Sequence, residues 1–379
     1  MPGTAPTEHA PAIRALAGRW FAAVADDPAV RGAGGDFVCS PAGLWLTLAV
    51  AAVGARAGTA AELSDLLGPT GPDAAATATG AAALLAETDA LEVATGVWAR
   101  TPLYRAFRES LPGVDFAPAG PDADLDAWVR RATRGLVDGL SAPPEPDAQL
   151  LLVNALGLVS PWENRFETRN TRERPFTDAD GTEYGVQTMF KRMPHPNHAW
   201  TVLGGSKDPD DAVVVAAMRC RAEYGGTAAQ VRFVLGAPGR PAEAVLPAAW
   251  APPEQRQLFD VERVTLALPR LLLRSQLDVA RQLETLGVVE ARSTRADFSG
   301  MSPEELRIGP VTQQCLLRVT ELGVEAAAVT EMTFSTRSAS TAVRTRHLAF
   351  DRPFGIVVLD GSGAVPLFTA WQSTAPRTY

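Results

Sequence analysis

Gly323 to Ser338 reads GVEAAAVTEMTFSTRS, a segment patterned like a β-strand and bordered like an exposed loop. At period two, one face is Val324, Ala326, Ala328, Thr330, Met332 and Phe334, all small or largely apolar. The other is Glu325, Ala327, Val329, Glu331, Thr333 and Ser335, mostly polar. Such alternation marks a half-buried strand. The segment then meets Arg337, Ser338 and the polar tract SASTAVRTRH, which ends at His347. A strand that ends on a lone basic residue in polar chain has two states open to it, one exposed and one inserted in a sheet, and this reading places function in the passage between them.

The rest of the chain supplies the body into which such a strand could go. Its 379 residues can bury a large core, and 46% hydrophobic with 21% charged residues is ordinary globular composition. A net charge of −8 without any Lys/Arg block argues against a nucleic-acid partner. Lys191 and Lys207 are the sole lysines, so positive charge is almost all arginine, which together with the abundant Ala, Gly and Pro points to a GC-rich bacterial source. The N-terminus lacks the basic and apolar regions of a secretory signal, so cytoplasmic residence is expected, with non-classical release or extracellular action left open. The longest apolar stretch, Leu44 to Val53, is too short to span a bilayer, so no membrane partner is expected. Cys39, Cys220 and Cys315 are odd in number and set in apolar surroundings, and read as buried free thiols.

Helices gather early and strands late, an α+β order. Ser40 and Pro41 start a helix that is apolar all round and belongs in mid-core. Further helices are expected over Thr59 to Leu67, Ala74 to Glu87, Leu277 to Leu286 and, on the surface, Leu125 to Leu140. Leu91 to Ala99 reads as a strand, and QLLLVNALGLV from Gln149 reads as a central strand buried on both faces. A terminal hairpin turns at Asp360 to Gly363. No repeat or linker divides the chain.

Catalytic chemistry is not legible. His195 and His198 could ligate a metal, but no third ligand lies near them in sequence and an exposed turn explains them, so no metal is expected. No GxSxG elbow, HExxH pair or phosphate-binding GxxxxGK[ST] loop occurs. The chain reads as a non-enzyme.

The chain resembles a serpin, a member of the serine protease inhibitor superfamily, over essentially its whole length. FVCSP at 37–41, LLLVNALGLVSPWENRF at 150–166, TRERPF at 171–176, LPR at 268–270, ADFSG at 296–300, ELGVEAAAVT at 321–330 and DRPF at 351–354 follow in the order and spacing of that family. The resemblance implies one domain over residues 1–379, with a large central β-sheet, two further sheets, about eight or nine helices and an exposed reactive-centre loop at about 323–347. It implies a hinge made of Gly323, Val324, Glu325, Ala326, Ala327, Ala328, Val329 and Thr330. It implies a bait bond fourteen residues beyond the hinge glycine, which falls between Arg337 and Ser338. Arginine as bait implies a trypsin-like target, whose pocket pairs a carboxylate with the guanidinium. The partner is then that protease, the inhibitor a monomer, and no cofactor is needed. A non-inhibitory member acting as a binding or chaperone module is the alternative.

The same resemblance places Trp162 and Thr171 where the hinge first goes into the sheet, and Arg270 and Glu321 as a salt bridge at the loop's base. Beneath the sheet it places Ser40, Gly43, Asn154 and Gln313. Three departures stand out. Val324 replaces a small polar residue at the first inward position, and its β-branched bulk is expected to slow insertion. Gln313 stands where histidine is usual and Gly43 where serine is usual, which leaves the hydrogen bonding under the sheet open. The tract from Ser338 to His347 is long for the family, so Arg344 and Arg346 are alternative cleavage sites.

In energetic terms, insertion adds ladder hydrogen bonds of about 0.5–1.5 kcal/mol each against about 1–2 kcal/mol of ordering entropy per residue. Those terms nearly cancel. The surplus comes from strain released in the uncleaved fold and from inward side chains such as Met332 and Phe334, at about 1.5–3 kcal/mol each.

Overall fold

The computed structural model describes residues 9–377 apart from 69–71, 121–123, 136, 138, 140–148, 204–210, 310 and 325–342. Ser40 caps the helix Pro41–Gly54 by accepting from the Gly43 N–H, and Pro41 occupies its first turn. That helix is buried nearly all round, as its uninterrupted apolar sequence requires, and forms the centre of the core with Ala10–Ala25 and Pro72–Ala86 packed on it. The helix Leu125–Ala132 is shorter than its charge pattern predicts. Arg134 and Gly135 both take positive φ, and the Gly135 N–H closes back on the Arg130 carbonyl at 2.7 Å, which ends the helix one turn after Val129.

The largest hydrogen-bonded sheet has seven antiparallel strands, in the order Phe37–Cys39, Pro366–Gln372, Phe354–Leu359, Gln230–Leu235, Val213–Arg219, Ala199–Val202 and Arg256–Leu258. The terminal hairpin turns at Asp360, whose carboxylate accepts from the N–H groups of Ala364 and Val365. A second sheet runs Thr345–Ala349, Arg263–Pro269, Glu183–Arg192 and Arg172–Thr177.

The remaining strands form two groups linked by one stretch of chain. Val114–Pro118, Leu91–Ala99 and Leu150–Leu158 pair in that order; Leu271–Asp278, Thr312–Val319, Gly323–Val324 and Ser160–Pro161 pair in the other. Leu150–Leu158 and Ser160–Pro161 are separated by Val159 alone, so the two groups meet at the head of one strand and part below it. Among the described residues, the stretch expected as a central strand is therefore laddered on one edge over 150–158, to Leu91–Ala99. Its burial is correspondingly partial. Thr312–Val319 is likewise paired along its length to Leu271–Asp278, and among the described residues its other edge is paired at Val319 alone.

Candidate functional site

Between those two edges, which no strand of the described residues joins along their length, lies a cavity of about 1070 Å³, lined by residues 150–158 on one side and 313–318 on the other. Both walls are extended backbone, and a strand seated there would find ladder partners on each side. At its head the chain has begun to fill it. Gly323 and Val324 pair with Pro161 and Ser160, and Val324 also pairs with Val319. Val324 is 2% exposed and lines the cavity. The bulky residue expected to slow insertion is thus already seated. Gly323 permits this by close approach: a Cβ on it would lie 2.7 Å from the Pro161 Cα.

Just above, Glu321 is clamped. Its carboxylate accepts from Arg270 Nε at 2.8 and 2.9 Å and from the Thr171 hydroxyl, while its carbonyl accepts from the Phe166 N–H at 3.1 Å. Trp162, fully buried, donates its indole N–H to the Thr320 carbonyl at 2.8 Å and its backbone N–H to the Leu322 carbonyl at 2.9 Å. Trp162, Thr171, Arg270 and Glu321 therefore meet around residues 320–322. Burial opposes ionisation of Glu321, but the hydrogen bonds from Arg270 and Thr171 outweigh it and hold its pKa below the usual glutamate range.

A depressed carboxylate pKa adds stability that is complete above the unfolded-state value and disappears as pH falls through the folded one. Glu321→Gln should be less stable than the parent by ~1–3 kcal/mol at neutral pH. The gap should close as the solution is acidified below about pH 5. Urea unfolding across that pH range measures it, and a pH-independent gap would show that the charge of Glu321 contributes nothing.

Beneath the cavity, Gln313 grips Ser40 at both ends, accepting from its N–H at 2.7 Å and donating to its C=O at 2.9 Å. The Ser40 hydroxyl donates to the Leu367 carbonyl at 2.6 Å. Asn154 belongs to the other wall: its amide donates to Thr95 Oγ1 at 2.9 Å and to the Ala94 carbonyl at 3.2 Å. Its Oδ1 is buried without a hydrogen-bond partner and faces Gly43, where an added Cβ would come within 2.9 Å. Among the described residues no hydrogen bond joins Asn154 to Gln313. Each wall is thus tied to its own half, and the glutamine does not bridge the opening.

Residues 325–342 lie outside the described part of the chain, and with them Glu325, Ala326, Ala327, Ala328, Val329, Thr330, Arg337 and Ser338. The two sides of that segment are tied at opposite ends of one strand, Arg263–Pro269, and the residues flanking it. At one end Glu321 pairs with Arg270; at the other the Arg344 carbonyl accepts from the N–H groups of Glu262 and Arg263, and its guanidinium bonds Asp260 at 2.8 Å. Arg346 lies within the strand Thr345–Ala349 and stacks on Phe259 at 5.4 Å.

Three contributing residues were not singled out from sequence. Ser160 and Pro161, partners of the hinge, sat within a quoted motif but had no distinguishing chemistry. Lys191 donates to the Asn164 carbonyl and lies 5.0 Å from the Phe166 ring, bracing the segment that holds Glu321; burial lowers its pKa to about 8. Its rarity in a chain with two lysines was the available signal. Cys39, Cys220 and Cys315 are free and buried. His195 and His198 stack edge to face at 5.5 Å, and the described residues include no group of three or more side chains fit to hold a metal. No described helix is long and apolar enough to cross a membrane.

The family described as Serpin (serine protease inhibitor) matches residues 12–372. The chain is 28% identical over 258 residues to Iripin-5 of Ixodes ricinus, covering 66% of this chain and 62% of that one. It is 26% identical over 245 residues to corticosteroid-binding globulin of Ovis aries, covering 64% and 53%. The matches thus span roughly three fifths of the length of these relatives or less. Its fold resembles the native-state structure of the thermophilic serpin tengpin, with a TM-score of 0.78 at 19% identity over 99% of this chain and 96% of that one. With the family matched across nearly the whole chain and the same fold, this protein belongs to the serpins.

Proposed function

We propose that the chain is a suicide inhibitor of a trypsin-like serine protease, cut between Arg337 and Ser338 in a reactive loop at about 323–347. The observation that carries this reading is the cavity between residues 150–158 and 313–318, with Val324 seated at its head. In the reaction the protease serine oxygen forms an ester with the Arg337 carbonyl as the Arg337–Ser338 amide breaks, and the Ser338 amine leaves carrying a proton. The released segment, joined to the body at Val324, zips into the open edges with the protease still attached. Speed decides the outcome, because water attacks the ester if the loop lags.

The fixed loop ends favour Arg337 over its rivals. A protease needs several extended, accessible residues around the scissile bond, and Arg344 and Arg346 are bound to Asp260 and packed on Phe259. Monomeric state, cytoplasmic residence and independence of cofactors complete the proposal. The likeness to corticosteroid-binding globulin supports a second reading, a non-inhibitory binding or chaperone module.

Incubation with trypsin separates the two. An inhibitor gives an SDS-resistant covalent complex that is lost in Arg337→Ala; cleavage without any complex would establish the binding module instead.

A further inference from the structure

We propose that the outer side of the four-stranded sheet, around Arg172, Arg174 and Arg192, is a docking surface for an acidic patch on the protease that takes the loop; this rests on the inhibitor reading above. The four strands of that sheet carry six Lys or Arg against two Glu, in a chain whose net charge is −8. The contrast is local and runs against the overall charge.

Two of these cations are brought together on one ring. Arg172 and Arg174, both exposed, place their guanidinium carbons 4.5 and 5.6 Å from the centroid of Phe190. Stacking on the ring favours each guanidinium, but two like charges gathered at one ring repel. Among the described residues Arg172, Arg174 and Arg192 form no ion pair that would offset this. Glu173, between the two stacked arginines in sequence, points to the opposite face of the strand and packs over Gly185. An acidic partner would relieve the repulsion.

The position suits a protease held by the loop. Arg172 directly follows Thr171, which bonds Glu321 at the hinge end, and the far end of the loop runs into the strand Thr345–Ala349 of this same sheet. A protease drawn to Arg337 therefore faces the sheet to which both loop ends are fastened. Charge at such a rim acts on the association rate more than on the final complex.

The test uses two trypsin isoforms that share a specificity pocket and differ in surface charge, one anionic and one cationic. Rate constants for SDS-resistant complex formation are measured from about 0.05 to 0.5 M NaCl, a range over which screening becomes strong. The anionic isoform should react at least about tenfold faster at low salt, and the two should converge at high salt. R172A/R174A should abolish the difference without lowering the rate with the cationic isoform, which also shows that the variant is folded. Equal rates in the parent, or a difference that survives the double substitution, would overturn the proposal. So would retention on heparin that is lost in R172A/R174A while isoform rates are equal, since the surface would then serve a polyanion. No complex with either isoform would instead remove the inhibitor reading itself.

Discussion

Cleavage at Arg337 should raise the thermal unfolding midpoint of the protein by more than about 10 °C, at ~2–4 °C per kcal/mol gained. The reason is the pair of strand edges that no described strand ladders on either side of the cavity. Backbone groups along both edges gain partners when a strand fills the space, at about 0.5–1.5 kcal/mol each. The inward face of the incoming segment is small near the hinge and large at Met332 and Phe334, so the last residues to arrive bring about 1.5–3 kcal/mol each. Limited proteolysis followed by calorimetry measures the shift. An unchanged midpoint after a confirmed cut at Arg337 would exclude insertion.

Val324→Arg should turn the inhibitor into a substrate. Val324 is buried between Ser160 and Val319, with its side chain toward the cavity. A guanidinium there would be taken out of water, at a cost of several kcal/mol. The hinge would be expelled and insertion would start from outside the sheet. At about 1.4 kcal/mol per decade of rate, the fraction of encounters that end in covalent complex should fall at least about tenfold, with cleavage at Arg337 itself unimpaired. Gel densitometry of complex against cleaved inhibitor gives the ratio. An unchanged ratio would show that seating of Val324 is not part of the mechanism.

Much of this site can be read from residue order because its chemistry is local. The Ser40 cap, the Pro41 start and the alternation from Gly323 to Ser335 are written within a few residues of where they act. What could not be read is pairing at a distance. The apolar run from Leu150 reports burial, and burial alone does not say whether a strand has one neighbour or two. The helix after Leu125 shows the opposite limit, since its charge pattern continues past the point where Arg134 and Gly135 turn the chain. Gln313 is a third case. The two-ended bond of its amide to the backbone of Ser40 depends on the approach of that turn, which the identity of the residue does not specify. Val324 reads as an obstacle by its bulk, yet the closeness that Gly323 allows to Pro161 has already placed it inside.

Among the described residues, 150–158 and 312–319 present edges without ladder partners, and the cleaved loop is proposed to fill them. Hydrogen exchange over those two strands, before and after cleavage at Arg337, tests it most directly, because an unladdered amide exchanges quickly and a paired one does not. Amides along the facing edges should be weakly protected in the intact protein and become strongly protected once the loop is cut. Equal protection in both states would contradict it.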